Sequence, residues 1–202
     1  MLMFNFLRIR IFDFLKKRNM DRVYQRGGMW GREQGVADIK AAIGLINSRR
    51  YARCLDLGTG RGQYAEEAAP HCGEVLAIDI SPEAVERAKE RLGHIPNIRF
   101  SVANLRTFGS SEPFDLVILG DTLYYLGDLR FPLEFRKAIA NIVRLVAPEG
   151  RILMVNYISP GRSEKQLREY AALFQAEGMR IEHNDIFSDG PKRWLQTVLV
   201  RN

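Results

Sequence analysis

The chain has 202 residues, of which 46% are hydrophobic, 27% charged and 10% aromatic. These values fit one folded domain with a continuous core and exclude a largely disordered chain. The formal net charge is +6, but +4 of it falls in the first 18 residues, so a basic stripe that binds duplex nucleic acid is not expected on the folded body.

The first 34 residues are predicted to form an N-terminal cap or lid, separate from a domain over residues 35–202. The segment Met1 to Leu15 is apolar, but arginines interrupt it too early for a membrane span of about 20 residues. It also lacks a small-residue cleavage site, which argues against a secretory signal. Two interpretations remain open: a cap that packs over the domain, which we prefer, or a segment that touches an anionic membrane surface.

From Gly35 onward, strand and helix patterns alternate along the chain. Strands are predicted at Cys54 to Leu57, Glu74 to Asp79, Ile98 to Val102, Phe114 to Leu119, Arg151 to Asn156, Met179 to Phe187 and Trp194 to Val200. Helices are predicted over Val36 to Ile46, from the Ser81-Pro82-Glu83 start to Gly93, over Phe135 to Val146, and from the Ser163 and Gln166 capping box to Gly178. Such alternation is typical of a doubly wound, mainly parallel α/β sheet with helices on both faces.

The last two strands are expected to differ from the others. Only about six residues, Ser188 to Arg193, join them. A parallel crossover needs a dozen residues or more, so these strands must form an antiparallel hairpin. The sequence therefore predicts a mixed sheet whose last strand is antiparallel.

A glycine-rich segment, Leu55-Asp56-Leu57-Gly58-Thr59-Gly60-Arg61-Gly62, follows the first predicted strand. Ligands bind at this position in doubly wound sheets. The glycine spacing differs from the Gly-x-Gly-x-x-Gly of dinucleotide sites, and no Gly-Lys-Ser/Thr run of a Walker A loop follows. Asp79 ends the next strand, about 20 residues further on, where a carboxylate can accept both hydroxyls of a ribose. The segment therefore favours a cofactor that contains a nucleoside but no pyrophosphate.

These motifs, together with Ile78-Asp79-Ile80-Ser81 and Phe114-Asp115-Leu116-Val117, resemble class I S-adenosylmethionine-dependent methyltransferases. The resemblance implies a Rossmann-like seven-stranded sheet with an antiparallel last strand, and S-adenosyl-L-methionine as cofactor. It places Asp56, Gly58, Thr59, Gly60 and Gly62 around the methionine end, Asp79 on the ribose, and Ile80, Asn104 and Leu105 around the adenine. Asn104 stands where the family usually has an aspartate. Tyr24 and Trp30 resemble the lid residues of the family.

The segment Gly120-Asp121-Thr122-Leu123-Tyr124-Tyr125-Leu126 follows the fourth predicted strand. The overlapping stretch Leu123-Tyr124-Tyr125-Leu126-Gly127-Asp128 is similar, together with Asn141 to Arg144 and Ala147 to Gly150, to the bacterial nodulation-factor (NodS-like) N-methyltransferases, which act on the amine of a chitooligosaccharide. The class I resemblance implies that the backbone of the segment that starts at Gly120 lies near the transferred methyl group. Asp121 is the first candidate to hold the acceptor and pass on its proton, and Tyr124 is the second.

Neither the Asn/Asp-Pro-Pro-Tyr signature of nucleic-acid amino methyltransferases nor the Asp-Asn pair of metal-dependent catechol enzymes is present, since Asn156 stands alone. Cys54 and Cys72 lie far apart and form no metal-ligand pair, which indicates a reducing cytoplasm. The three histidines are isolated in the sequence and show no metal-ligand spacing either. The expected function is N- or O-methylation of a small molecule without a metal or a nucleic-acid partner. A nicotinamide-dependent reductase and a non-catalytic membrane-surface module remain as alternatives.

Overall fold

Seven strands and five α-helices have their bounds within residues 21–22, 36–126 and 132–202, which the computed structural model describes. The strands are β1 (Tyr51–Leu57), β2 (Cys72–Asp79), β3 (Ile98–Val102), β4 (Phe114–Gly120), β5 (Val146–Tyr157), β6 (Met179–Asp189) and β7 (Lys192–Arg201). The helices are α1 (Val36–Gly44), α2 (Gln63–Ala68), α3 (Pro82–Leu92), α4 (Pro132–Leu145) and α5 (Glu164–Ala176). Apart from Asp21 and Arg22, the predicted cap over residues 1–34 lies outside the described residues, and so do Tyr24 and Trp30.

All seven strands form one sheet in the order β3-β2-β1-β4-β5-β7-β6. The first five strands pair in parallel, and β7 pairs antiparallel with both β5 and β6. This arrangement confirms the predicted doubly wound mixed sheet with an antiparallel last strand. The chain order reverses between β1 and β4, so the carboxyl ends of these two strands flank the crevice where such sheets bind ligands.

Helices cover both faces of the sheet because its central strands are apolar on both sides. Side chains alternate along each strand. Cys54, Leu116 and Ile118 belong to the core cluster that α1 and α2 cover, whereas Leu55 and Val117 belong to the cluster under α4 and α5. None of the helices within the described ranges is long and apolar enough to cross a membrane.

Local side-chain contacts fix where the elements begin. The hydroxyl of Ser81 accepts a hydrogen bond from the Ala84 N–H at 3.2 Å, and that of Ser163 accepts one from the Gln166 N–H at 3.3 Å. Both serines are therefore the N-caps expected for α3 and α5. At the opposite edge of the sheet from the crevice, the carboxylate of Asp115 accepts the N–H groups of Ala52 and Arg53, both at 2.7 Å. Asp115 thereby attaches the start of β4 to that of β1.

Two predicted boundaries were wrong. Val146 was expected on the apolar face of a helix, but it is fully buried and starts β5, where it pairs with Phe114. An apolar β-branched residue at a helix-to-strand junction fits either periodicity, and strand pairing decides. The hairpin connection is also shorter than Ser188 to Arg193, because β6 continues to Asp189 and β7 starts at Lys192. Backbone pairing extends the two strands past their last apolar side chains.

Candidate functional site

The glycine-rich loop between β1 and α2 has a backbone that glycine alone adopts without strain. Gly58, Gly60 and Gly62 have φ angles of +83°, +55° and +81°. A Cβ atom on Gly58 would lie 2.7 Å from side-chain atoms of Thr122, which follows β4. A Cβ on Gly62 would instead meet the side chain of Leu92 in α3 at 2.5 Å. Gly58 therefore allows close contact with the β4 end, and Gly62 allows helix packing.

The N–H groups of this loop point towards the protein. Those of Gly58 and Thr59 donate to the carbonyl oxygen of Ile78 at 2.8 and 2.9 Å, and that of Gly62 donates to the Thr59 carbonyl at 2.8 Å. The Gly60 N–H donates to Oδ2 of Asp79 at 3.0 Å. Sites for pyrophosphate present such N–H groups to the ligand. Because these four N–H groups already have acceptors, the loop is poorly suited to bind a phosphate anion.

Asp56, at the carboxyl end of β1, is a buried acid with one strong hydrogen bond. Its side chain is 1% exposed, and Oδ2 accepts a hydrogen bond from the Thr59 hydroxyl at 2.6 Å. Burial raises the pKa of Asp56 from 3.8 to about 7, although the Thr59 hydrogen bond acts in the opposite direction. A positive charge placed beside this carboxyl group would favour its ionised form.

Asp79, at the carboxyl end of β2, faces the glycine-rich loop as predicted from its position. Oδ2 accepts from the Gly60 N–H, and Oδ1 accepts from the Ser81 N–H at 2.9 Å. Burial raises the pKa of Asp79, and the backbone hydrogen bonds partly offset this. The Ser81 hydroxyl also donates to Asp21, so the described part of the N-terminal segment contacts the edge of this site.

Asp121, directly after β4, is held in an unusual conformation between β4 and β5. Its φ of +51° lies in the left-handed region, which is rare for residues other than glycine and clusters at functional sites. Its N–H donates to the Val155 carbonyl at 2.8 Å, and its Oδ1 accepts from the Tyr157 N–H at 2.7 Å. Burial raises the pKa of Asp121, which the Tyr157 hydrogen bond and the charge of Arg162 partly offset.

Two further residues of the site were not predicted from the sequence. The Tyr64 ring lies against Gly120, because a Cβ on Gly120 would collide with it, and its hydroxyl is buried without a partner in the described residues. Burial and the charges of Asp121, Asp38 and Asp56 raise the pKa of this hydroxyl. Burial raises the pKa of Asp38, in the first turn of α1, to about 6.

The position of Asp38 depends on the last strand of the sheet. Its backbone carbonyl accepts a hydrogen bond from Nε2 of Gln196 in β7 at 3.0 Å. Gln196 is itself buried. Asp38 carried no functional signal in the sequence, because acids are common in the first turn of a helix, where they interact favourably with the helix dipole.

Tyr124, the second catalytic candidate, lies beside Asp121 and under an arginine. The guanidinium carbon of Arg162 lies 3.8 Å from the centre of the Tyr124 ring. Burial raises the pKa of Tyr124, and so does the charge of Asp121. The centres of the Tyr124 and Tyr125 rings lie 4.5 Å apart. The structure thus brings both catalytic candidates together at the carboxyl end of β4.

The residues predicted for the adenine lie at the carboxyl ends of β2 and β3. Ile80 is half-buried after Asp79, and Asn104 is half-buried with its Oδ1 accepting the Arg106 N–H at 3.0 Å. The side chain of Leu105 is 5% exposed and belongs to the core cluster under α4 and α5. Leu105 is therefore placed to offer its backbone to a ligand, rather than its side chain.

The buried acids should make stability depend on pH. A carboxyl group whose pKa is raised on folding stabilises the protein below its unfolded pKa, and this contribution is lost as the pH rises through the folded value. For Asp56 the window runs from about 4 to about 7. We expect the free energy of unfolding of the wild type to fall by about 2 to 3 kcal/mol relative to Asp56→Asn between pH 5 and pH 8.

Denaturant titrations of both proteins at the two pH values measure this difference. Asp38→Asn is the matched comparison, because its pKa of about 6 predicts the same sign with a smaller size. A difference between wild type and Asp56→Asn that stays constant from pH 5 to pH 8 would contradict a raised pKa at Asp56.

Comparison with known proteins shows relatives across most of the domain. Residues 38–185 match the family model described as Nodulation protein S (NodS). Nodulation protein S of Rhizobium tropici is 37% identical over 102 residues, which are 50% of this chain and 42% of that protein. The protein of the same name from Sinorhizobium fredii is 33% identical over 99 residues, 49% of this chain and 44% of that protein. The chain thus matches less than half the length of these relatives.

The fold is also similar to solved structures. The crystal structure of the N-methyltransferase NodS from Bradyrhizobium japonicum WM9, in complex with S-adenosyl-L-homocysteine, has a TM-score of 0.69 and 20% identity. The match covers 92% of this chain and 98% of that one. At this identity the likeness shows the fold, and it agrees with the sheet order described above.

Proposed function

Because the chain belongs to the nodulation protein S family, we propose that it transfers the methyl group of S-adenosyl-L-methionine to a nitrogen or oxygen atom of a small-molecule acceptor. An amine is our first choice of acceptor, since the similar solved structure is that of an N-methyltransferase. The family match favours neither the nicotinamide-dependent reductase nor the membrane-surface module.

The observation that carries this proposal is the orientation of the glycine-rich loop. Its four N–H groups are bonded within the protein, and the acids Asp56 and Asp79 lie on either side of it. Such a site disfavours a dinucleotide pyrophosphate, because unpaired donors are few and the local charge is negative. It suits a cofactor that carries an ammonium and a sulfonium group and has no phosphate.

The residues fit this cofactor at both ends. We assign Asp79 to the ribose hydroxyls, because its carboxylate lies at the end of β2 and faces the loop. We assign Asp56, Thr59 and the backbone around Gly58 and Gly60 to the methionine end, where a cationic neighbour would lower the raised pKa of Asp56 and favour its carboxylate. Ile80, Asn104 and the Leu105 backbone are proposed to border the adenine.

When bound, the cofactor supplies an electrophilic methyl group whose transfer neutralises a sulfonium. The contribution of the chain is to orient the acceptor and exclude water, and orientation alone is worth about 7 to 11 kcal/mol in well-aligned reactions. Asp121 is proposed to accept a hydrogen bond from the acceptor and to take up its proton, because its carboxylate is held at the β4 end with a raised pKa. Tyr124 assists by its position beside Asp121.

Further proposals concern the surroundings of the site. The contact of Asp21 with Ser81 supports an N-terminal segment that covers the cofactor, with Tyr24 and Trp30 as its lid residues. The buried free thiols of Cys54 and Cys72 suit a reducing cytoplasm. We propose no nucleic-acid partner and at most a weak membrane contact by the N-terminus.

Calorimetric titration of the full chain with S-adenosyl-L-homocysteine, NAD and anionic liposomes tests the proposal. We expect saturable binding of S-adenosyl-L-homocysteine with a dissociation constant of the order of micromolar, which corresponds to a binding free energy of about −8 kcal/mol. We expect no binding of NAD. Binding of NAD in place of S-adenosyl-L-homocysteine would support the reductase. Binding of liposomes alone would support the membrane module.

A further inference from the structure

Three side chains near the carboxyl end of β5 hold buried polar atoms that have no hydrogen-bond partner in the described residues. They are the hydroxyl of Tyr124, Nη1 of Arg162 and both amide atoms of Asn156. Asn156 is completely buried. An unpaired buried polar group costs about 1 to 3 kcal/mol, so three such groups at one edge indicate that a partner is supplied from outside the described residues.

These groups lie on the same side of the sheet. Asn156 follows Met154 at strand spacing, and Met154 belongs to the core cluster under α4 and α5. Tyr124 packs against the same cluster, and Arg162 stacks on the Tyr124 ring. Their unsatisfied atoms therefore border the acceptor side of the candidate site.

Arg162 is held in place by its backbone, and within the described residues the charge of Asp121 acts on it without a direct ion pair. Its N–H donates to the Ser159 carbonyl at 2.8 Å, and its carbonyl accepts the Ser159 N–H at 3.1 Å, which closes a tight turn. In the described parts of the chain no carboxylate lies within ion-pair distance of its guanidinium, whereas neighbouring Arg168 and Arg193 both pair with Glu164. A guanidinium is always charged and offers paired donors that match a carboxylate or a phosphate.

Given the proposed methyl transfer, we propose that the acceptor carries an anionic group, a carboxylate or a phosphate, which Arg162 binds together with the Tyr124 hydroxyl and the Asn156 amide. Asp121 also neighbours Tyr124 and carries the opposite charge. The acceptor thus presents its nucleophilic atom to Asp121 and its anion to Arg162. Substrates that contain only neutral groups beside the nucleophile would leave the guanidinium unpaired.

Nuclear magnetic resonance of the arginine Nε–Hε groups tests this proposal on the full chain. Inorganic phosphate and acetate are titrated separately, with sodium chloride keeping the ionic strength constant. We expect one resonance to shift saturably, and that resonance to be missing from Arg162→Met. A response to phosphate alone assigns a phosphate group, and a response to acetate assigns a carboxylate. Shifts that are absent, or that remain in Arg162→Met, overturn the proposal.

Two further variants sharpen the result. Arg193→Met is the matched control, because this arginine lies nearby but already pairs with Glu164, so its loss should leave the saturable shift unchanged. Arg162→Lys keeps the charge but not the paired donors, and calorimetry should show anion binding at least fivefold weaker than in the wild type.

The same samples separate this proposal from the proposed function. Arg162 does not belong to the glycine-rich loop, so S-adenosyl-L-homocysteine should bind Arg162→Met as tightly as it binds the wild type. If the wild type fails to bind S-adenosyl-L-homocysteine but still binds the anion at Arg162, the methyl-transfer proposal fails and the anion site stands. The reverse result leaves methyl transfer and removes the anionic acceptor.

Discussion

Asp79→Ala is expected to weaken the binding of S-adenosyl-L-homocysteine by about 100-fold. The Asp79 carboxylate is buried at the end of β2, where we assign it to the ribose. Two hydrogen bonds to a charged acceptor contribute about 1.5 kcal/mol each, and about 2.7 kcal/mol corresponds to 100-fold. Calorimetric titration of both proteins at pH 8 measures the change.

Asp115→Ala is the matched control for this variant. Both acids accept two backbone N–H groups, but Asp115 does so at the edge of the sheet away from the crevice. We expect both variants to lose stability in denaturant titrations and only Asp79→Ala to lose affinity. Equal affinity in the wild type and Asp79→Ala would remove Asp79 from the cofactor site.

Gly58→Val is expected to have the largest effect on the site as a whole. A valine at a φ of +83° is strained by about 1 to 2 kcal/mol, and its Cβ would lie 2.7 Å from Cγ2 and Oγ1 of Thr122. Thr122 is buried and donates to the Gly120 carbonyl at 2.8 Å, so it cannot move aside without loss. We expect a loss of about 3 kcal/mol or more in unfolding free energy and no measurable binding of S-adenosyl-L-homocysteine.

Gly178→Val separates backbone strain from the effect on the site. Gly178 has a φ of +91°, but a Cβ there meets no atom within 4 Å, and it precedes β6 rather than the crevice. In this variant the unfolding free energy should fall only by the backbone strain of about 1 to 2 kcal/mol, and the affinity for S-adenosyl-L-homocysteine should stay unchanged. If Gly58→Val proved as stable as Gly178→Val and bound the ligand equally well, the close approach of the loop to Thr122 would have no role in binding.

Most of the fold could be predicted from the sequence because its signals are local. Apolar runs located the strands, caps such as Ser81 located helix starts, and the short connection before β7 required a hairpin. The errors lie where local signals are ambiguous, as at Val146, which suits a helix face and a strand equally. The local patterns did not predict that β7 lies between β5 and β6, because this order depends on long-range pairing. The seven-stranded sheet with an antiparallel last strand was implied by the resemblance to class I methyltransferases.

The cofactor side of the site could be predicted better than the acceptor side. Asp56, the glycines and Asp79 lie at or directly after strand ends, so their spacing along the chain determines their spacing in the fold. Tyr64, Asp38 and Arg162 reach the crevice by the packing of separate elements, which no spacing rule describes. For Asn156 the position near the end of β5 was visible, but its burial without a partner in the described residues was not.

The hydrogen bond between Gln196 and the Asp38 carbonyl joins positions 158 residues apart. A growing polypeptide presents α1 well before β7, because the strand lies far downstream in the chain. The acidic lining around Asp38 therefore cannot be completed until β7 has been synthesised and has paired with β5, so this part of the site depends on a late, long-range contact.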